Sequence, residues 1–399
     1  MPKQVAFLMS DTGGGHRASA NALVEALRAL HGDAVRCQVV DLLTGYGTWP
    51  LSRAPDYYQP LVDRRLWLWR ALWSVCERDW LWRGVARVAQ VWQAGGLQRF
   101  ANDFPADLYV SVHPLLNHVP RRALSRRYPH ARFATVVTDL ASAARLWYDP
   151  GVDLLSASCP AVQRAALAAG VPSERVRLFG LPIRLRFGQS RLAPAQARNA
   201  LGLEQRPTVL LLGGGAGIGA LEQIARALTP VLSSCGGQLA VICGRNDALR
   251  TRLAEEHWPM PTRIAGYVDD MPVWMAAASV LVTKAGPGTI AEALACGLPM
   301  VLSSFVPGQE LDNVRCVEEN GVGVYRSDPQ QIAALIAEWL KPGQPALLAM
   351  RARAKNLAQP QAALEIAQAL SQLIWPGTNP CANTLRWEDS TMSPSPKGS

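Results

Sequence analysis

Nowhere in the 399 residues does an uninterrupted apolar run approach the roughly 20 residues that a membrane-spanning helix needs, so no crossing of a bilayer is expected. The eight cysteines, at 37, 76, 159, 235, 243, 296, 316 and 381, form no C-x-x-C pair and have no histidine at ligand spacing. That argues against a zinc site or a disulfide framework and makes reduced thiols the expectation. Charged residues reach only 18%, while 49% are hydrophobic. This balance excludes a disordered chain, a collagen and a coiled coil. No charged leader with a long apolar stretch precedes the first β-like run, Val5-Ala6-Phe7-Leu8-Met9. A signal or transit peptide is therefore not expected, and the cytoplasmic face of a membrane is the expected location.

What is present is enough chain for two sizeable cores. The net charge of +9 is unevenly placed. Residues 1–187 hold 23 Lys+Arg against 14 Asp+Glu, and residues 188–399 hold 17 against 17. An anionic partner of the first half follows from this asymmetry, although 35 of the 40 basic residues are Arg and genome composition accounts for part of the excess. Short apolar runs alternate with helical stretches, which predicts a parallel α/β class. The predicted strands are 5–9, 35–40, 108–112 and 133–137, then 208–212, 239–243, 280–283 and 300–302. Around Gly180-Leu181-Pro182 and the Pro/Ala/Gln-rich stretch to Arg206, both the charge balance and the β-α phase restart. We expect domains at 1–187 and 188–375, with a disordered Pro/Ser/Thr-rich tail at 376–399. Each half opens with a strand running into a glycine turn, Gly13-Gly14-Gly15 and Gly213-Gly214-Gly215. Two Rossmann-like domains facing across a cleft are the expected architecture.

Three turns carry the chemistry. In Met9–Ala20 the glycines admit close backbone approach and φ > 0, and His16 stands at the top of the strand. Its ordinary pKa of about 6.5 suits a general base, and capping of the turn is an equal alternative. The second turn, Gly213-Gly214-Gly215-Ala216-Gly217-Ile218-Gly219, follows the same phosphate-approach logic. It departs from G-x-G-x-x-G, and no acidic residue closes the next strand, which disfavours a nicotinamide cofactor. The most informative stretch is Thr283-Lys284-Ala285-Gly286-Pro287-Gly288-Thr289-Ile290-Ala291-Glu292-Ala293. Free N–H groups at such a helix start can bind a diphosphate, and a carboxylate one turn along can accept from ribose hydroxyls. A capped helix with Glu near its positive end is the plainer alternative. Pro307-Gly308-Gln309-Glu310-Leu311-Asp312-Asn313 is dense in groups that a hexose would need. Asp269-Asp270 reads as an exposed acidic turn rather than a metal site.

Together these segments resemble the monogalactosyldiacylglycerol (MGDG) synthase family, in the MurG-like group of GT-B glycosyltransferases. Ser111–Pro120, Val137-Thr138-Asp139-Leu140, Gly180-Leu181-Pro182 and Ile242–Asn246 fall in family order between the glycine turns. The resemblance covers nearly the whole chain to about residue 360. It implies an inverting, metal-independent transfer of a hexose, galactose first, from a UDP-sugar to the free hydroxyl of diacylglycerol, with no cofactor. By position, His16 would be the base. Gly214, Gly215, Gly286, Gly288 and Thr289 would surround the diphosphate, and Arg245 with Tyr267 and Val268 would hold the uracil end. Glu292 would bind ribose, and Gln309 and Glu310 the sugar. Gly14, Gly15, His113, Asn117 and Trp147 would lie at the acceptor. Ala216 stands where plant-type relatives carry Glu, and Asn117 where Gln is common. Trp147 lacks the His-rich flanks associated with anionic-lipid activation, so the resemblance does not carry that regulation to this chain.

Between Arg64 and Trp92 lie six Trp and six Arg against only Glu77 and Asp79. The spacing of Trp69, Trp73, Cys76 and Trp80, in steps of four, three and four, predicts that they lie along one helical face. Trp beside Arg is the composition of an interfacial segment, with rings at headgroup level and guanidinium groups on anionic lipid phosphates. A buried Trp stripe is the alternative for any single ring. The basic half needs no nucleic acid, since no recognised binding motif accompanies it. Competing readings are a glucosyl- or N-acetylglucosaminyltransferase, a UDP-sugar epimerase, and a lipid-binding regulator with a decayed site.

Overall fold

The computed structural model describes residues 1–12, 14–57, 67, 88–189, 192–214, 217 and 220–377. The expectations for Trp69, Trp73, Trp80, Gly215 and the tail from 378 lie outside the described residues. Two parallel six-stranded sheets organise the chain. The first holds β1 Lys3–Met9, β2 Val35–Asp41, β3 Leu108–Ser111, β4 Arg132–Val136, β5 Leu154–Ala157 and β6 Val176–Leu178. Its order is β2-β1-β3-β4-β5-β6. The second holds β7 Thr208–Leu212, β8 Gln238–Ile242, β9 Thr262–Ala265, β10 Val280–Lys284, β11 Met300–Ser304 and β12 Gly323–Tyr325, in the order β12-β11-β10-β7-β8-β9. In each sheet the first strand lies inside, so the winding direction reverses beside it. Those reversals fall between β1 and β3 and between β7 and β10, the places where an open parallel sheet leaves a crevice for ligands.

Strands covered on both faces read as continuous apolar runs because neither face meets water. In β1, Val5, Phe7 and Met9 enter one core layer while Ala6 and Leu8 enter the other. In β7, Leu210 and Leu212 face one layer, and Val209 and Leu211 the other. Helix α1, Gly14–His31, buries Ala20, Leu23, Val24 and Leu27 at the i, i+3, i+4, i+7 spacing of a single face. Arg28 and His31 in its last turn oppose the negative end of the helix dipole.

One boundary is corrected. The helix Ala362–Ile374, expected in the second domain, packs Ala363, Ile366, Ala367 and Leu370 into the first sheet's core beside α1. His31 Nε2 meets Ser371 Oγ there at 2.7 Å. The apolar face of this helix is matched by α1, not by any element of the second sheet, so the chain crosses between the lobes twice. On the outward crossing, Leu185 sits in the first lobe's core and Leu181, Ile183 and Phe187 in the second's. The return crossing lies against it. Gly180 has φ +100°, and a Cβ there would meet Gln359 Oε1 at 2.1 Å. Among the described residues no helix is long and apolar enough to cross a membrane.

Candidate active site

At the first reversal, three loops converge. Ser10-Asp11-Thr12 leaves β1 for α1, Val112-His113 follows β3, and Val137-Thr138-Asp139 follows β4. His16, one turn into α1, places Nδ1 2.9 Å from Thr138 Oγ1. Its ring stands edge-on to His113, with centroids 4.6 Å apart, and 6.4 Å from Trp147. Burial lowers the His16 pKa to about 4, against opposing pulls from the Val112 carbonyl and the Asp11 carboxylate. At pH 7 the imidazole is neutral and has a lone pair to offer, which is what a general base requires.

The residues around it are supports. His113 is buried, with Nδ1 accepting from the Leu115 amide at 3.3 Å and Nε2 2.9 Å from Thr12 Oγ1. With both ring nitrogens engaged, it braces His16 and has none left for an acceptor. Asn117 was expected at the acceptor and is not available to one. It is fully buried, its Nδ2 donates to the carbonyls of His113, Pro114 and Leu146, and its Oδ1 accepts from Thr135 Oγ1. Such satisfaction is what a buried amide needs, and it ties two loops together. Trp147 is likewise fully buried and is no lipid contact. Its Nε1 donates to Asp139 Oδ2 at 2.6 Å. Burial raises the Asp139 carboxyl to about 6 despite that bond, and Glu310 across the cleft pushes the same way. A Cβ on Gly14 or Gly15 would touch nothing within 4 Å, so packing within the protein does not require glycine at either position.

At the second reversal, Gly214 holds φ +70°, a conformation that favours glycine. Lys284 ends β10 beside it, where the register with β11 shifts. Lys284 Cε is 3.7 Å from where a Cβ on Gly214 would sit, and its Nζ is 3.1 Å from the same point on Gly286. The ammonium thus lies between both glycine turns. The helix Pro287–Ala295 starts with proline at its first position, leaving the Gly288 and Thr289 amides in its opening turn. Glu310, expected to bind the sugar, instead holds this cation. Its Oε1 accepts from Lys284 Nζ at 2.6 Å and its Oε2 from the Val306 amide at 2.9 Å, and the side chain is buried. Gln309 beside it is half-buried at the cleft.

Glu292 follows one turn into the helix. Burial raises its carboxyl to about 7, and the nearby Arg184 guanidinium works against that shift. Arg184 also donates to the Asp269 carbonyl at 3.1 Å, next to Tyr267 and Val268. Arg245 lies 5.4 Å over the exposed Tyr267 ring, a cation–π pair open to a flat ligand. The Asp11 carboxyl, held below the usual carboxylate range by Arg17, also feels Arg245 from the opposite lobe. Asn313 closes the arrangement. Its Oδ1 accepts from the Ala141 amide of the first lobe at 3.2 Å, and its Nδ2 donates to the Ala285 carbonyl at 3.0 Å. Among the described residues no group of three or more His, Cys, Asp or Glu could hold a metal ion. Thr12, Thr138, Asp139, Arg184 and Lys284 were not singled out as site residues from sequence.

Two Rossmann-like lobes with glycine turns at facing reversals define the GT-B fold. A solved structure of MurG from Acinetobacter baumannii shares the fold, at TM-score 0.57 and 16% identity over 93% of this chain and all of that one. Residues 16–183 match the family model described as monogalactosyldiacylglycerol (MGDG) synthase, and residues 208–370 that of the glycosyltransferase family 28 C-terminal domain. Monogalactosyldiacylglycerol synthase 3, chloroplastic, of Arabidopsis thaliana is 36% identical over 93% of this chain and 81% of its own length. A probable monogalactosyldiacylglycerol synthase 2, chloroplastic, of Oryza sativa subsp. japonica is 38% identical over the same shares. The chain belongs to the monogalactosyldiacylglycerol synthase family and is a glycosyltransferase.

Proposed function

We propose that this enzyme moves the galactosyl group of UDP-galactose to the free hydroxyl of 1,2-diacylglycerol, with inversion and without a metal. The observation that carries the reading is a neutral, half-buried His16 at one reversal, opposite a cation-lined pair of glycine turns at the other. The acceptor oxygen bonds to the anomeric carbon from the face opposite the diphosphate, and its proton passes to His16. The bond from the anomeric carbon to the β-phosphate oxygen breaks, and UDP leaves with the electron pair. Charge developing on that oxygen is met by the Lys284 ammonium and the amides of Gly288 and Thr289, donors already in place. Arg245 and Tyr267 suit the uracil, Glu292 the ribose hydroxyls and Gln309 the sugar.

A lipid acceptor has to be collected from a membrane surface, and the first lobe offers a contact. Trp49, Tyr57, Trp67, Val88, Val91 and Trp92 are all exposed large apolar side chains. The two flanks are joined at a neck, where the Thr48 amide donates to Gln93 Oε1 at 2.9 Å and Thr48 Oγ1 donates to the Trp92 carbonyl at 3.1 Å. Peripheral attachment through 49–92 to anionic lipid, on the cytoplasmic face, fits this surface and the +9 charge of the first half.

A radiolabel transfer assay tests the reading. Protein and diacylglycerol in phosphatidylglycerol vesicles receive UDP-galactose, UDP-glucose or UDP-N-acetylglucosamine in parallel, with EDTA present. Monogalactosyl lipid from the first donor alone is the expected product. His16→Ala should abolish it and leave UDP binding nearly intact. Product from another donor would reassign the sugar, and near-normal turnover by the variant would remove His16 from its role.

A further inference from the structure

We propose that Thr138 sets the tautomer of His16, leaving Nε2 as the nitrogen with the lone pair, which makes Thr138 a positioning residue for the transfer. The catalytic half of this inference rests on His16 being the base; the tautomer half does not. A threonine hydroxyl has one proton to give. Thr138 Oγ1 lies 3.3 Å from the Val112 carbonyl, which can only accept, and donates to it. With that proton committed, Oγ1 can meet His16 Nδ1 at 2.9 Å only as an acceptor. Nδ1 therefore carries the hydrogen. A neutral imidazole has one N–H, so Nε2 is left unprotonated. The Val112 carbonyl also acts on His16 as a hydrogen-bond acceptor.

The ring cannot readily turn over to exchange its nitrogens. His113 stands edge-on to it at 61°, and Trp147 lies on another side, anchored by Asp139. His113 holds the opposite tautomer, because the Leu115 amide donates to its Nδ1 and leaves Nε2–H for Thr12. Two adjacent imidazoles thus each have one nitrogen fixed by a threonine, in opposite senses. Only His16 keeps a basic nitrogen outside these bonds.

The test compares Thr138→Val, which keeps the shape and loses the hydroxyl, with Thr138→Ser, which restores it. The Val112 carbonyl remains in both, so Thr138→Val should lower kcat by about fivefold to tenfold rather than abolish it. KM for UDP-galactose should stay within about twofold, since no donor contact is lost. Thr138→Ser should recover most of the rate. The tautomer is read independently of turnover from ring-nitrogen chemical shifts of 15N-histidine-labelled full-length protein at pH 7. Wild type should show protonated Nδ1 for His16, and Thr138→Val should move the population toward Nε2–H. These spectra stand even if no galactose is transferred, so the tautomer and the transfer reaction fail separately. A wild-type His16 protonated on Nε2 would overturn the proposal, as would Thr138→Val with unchanged kcat and tautomer. If the valine variant does not fold, the wild-type spectrum and the serine variant decide.

Discussion

His16 and His113 lie with ring centroids 4.6 Å apart, and burial lowers the pKa of both, His113 well below the ordinary value. His16 also makes protonation of His113 less favourable. In an unfolded chain either ring would take a proton below about pH 6.5. Folded His16 resists until about pH 4. Between those values the unfolded state binds more protons, so the His16 contribution is fully present above pH 6.5 and lost progressively as pH falls toward 4. The slope from one such group is at most about 1.4 kcal/mol per pH unit. Asp139 and Glu292, with raised folded pKa values, act in the opposite direction over overlapping ranges. A difference measurement separates them. Chemical denaturation of wild type and His16→Gln at several pH values should show a shallower rise of stability with pH for the variant in that window. Parallel profiles would mean that His16 titrates as it does in the unfolded chain.

The helix Pro287–Ala295 unites a glycine turn with a carboxylate whose pKa burial raises. Glu292 has its carboxyl raised to about 7 by burial. A ribose hydroxyl donates a stronger, charge-assisted hydrogen bond to the ionised form than to the protonated one. UDP affinity should therefore rise with pH through about 7, level off above it, and be accompanied by proton release when binding occurs below that point. Glu292→Gln should bind UDP more weakly at high pH, with a shallower pH profile and fewer protons released, the remainder coming from the terminal phosphate of UDP, whose second pKa is about 6. Calorimetry in two buffers of different ionisation enthalpy checks this, and an unchanged proton count in the variant would exclude Glu292 from the ribose. Both glycine turns were legible in sequence because their backbone demands are written in consecutive residues. Eight strands were legible, all but the edge strand β2 as apolar runs. The strands β5, β6, β9 and β12 span only three or four residues each and lack a signal as clear. Lys284 and Glu310 were read separately, one as part of a turn and the other as a sugar ligand. Their pairing spans 26 residues and depends on the register shift at the end of β10, which local sequence does not reveal. The same holds for Thr138, which reaches His16 across 122 positions. Asn117 and Trp147 were misread as acceptor contacts because polarity and aromaticity were legible while burial was not.

At the scale of the whole molecule, the two lobes are joined by two chain crossings, by packing such as Leu140 on the second lobe's core, and by the side chain of Asn313. That amide touches the loop carrying Thr138 and Asp139 on one side, and the loop carrying Lys284 and Gly286 on the other. It therefore connects the placement of the loop that holds His16 to the placement of the glycine turn at Gly286. Its own burial is nearly complete, so its two hydrogen bonds have no water to replace them. Asn313→Ala would leave the Ala141 amide and the Ala285 carbonyl without their partner, at a cost of about 1–3 kcal/mol for each group that stays dry. Opening the cleft lets water reach both groups and removes that cost, so the variant should favour separated lobes. Small-angle scattering should then show a larger radius of gyration than wild type without ligand, and a larger contraction when UDP is added. The kinetic counterpart is a fall in kcat/KM of at least tenfold. His16 and the glycine turns are still present in the variant, but closure has to be driven by ligand binding energy that wild type keeps for the reaction. Scattering and kinetics both indistinguishable from wild type would mean that the crossings and the apolar packing between the lobes set their arrangement without Asn313. A loss of activity with unchanged scattering would place Asn313 on the substrate instead of between the lobes.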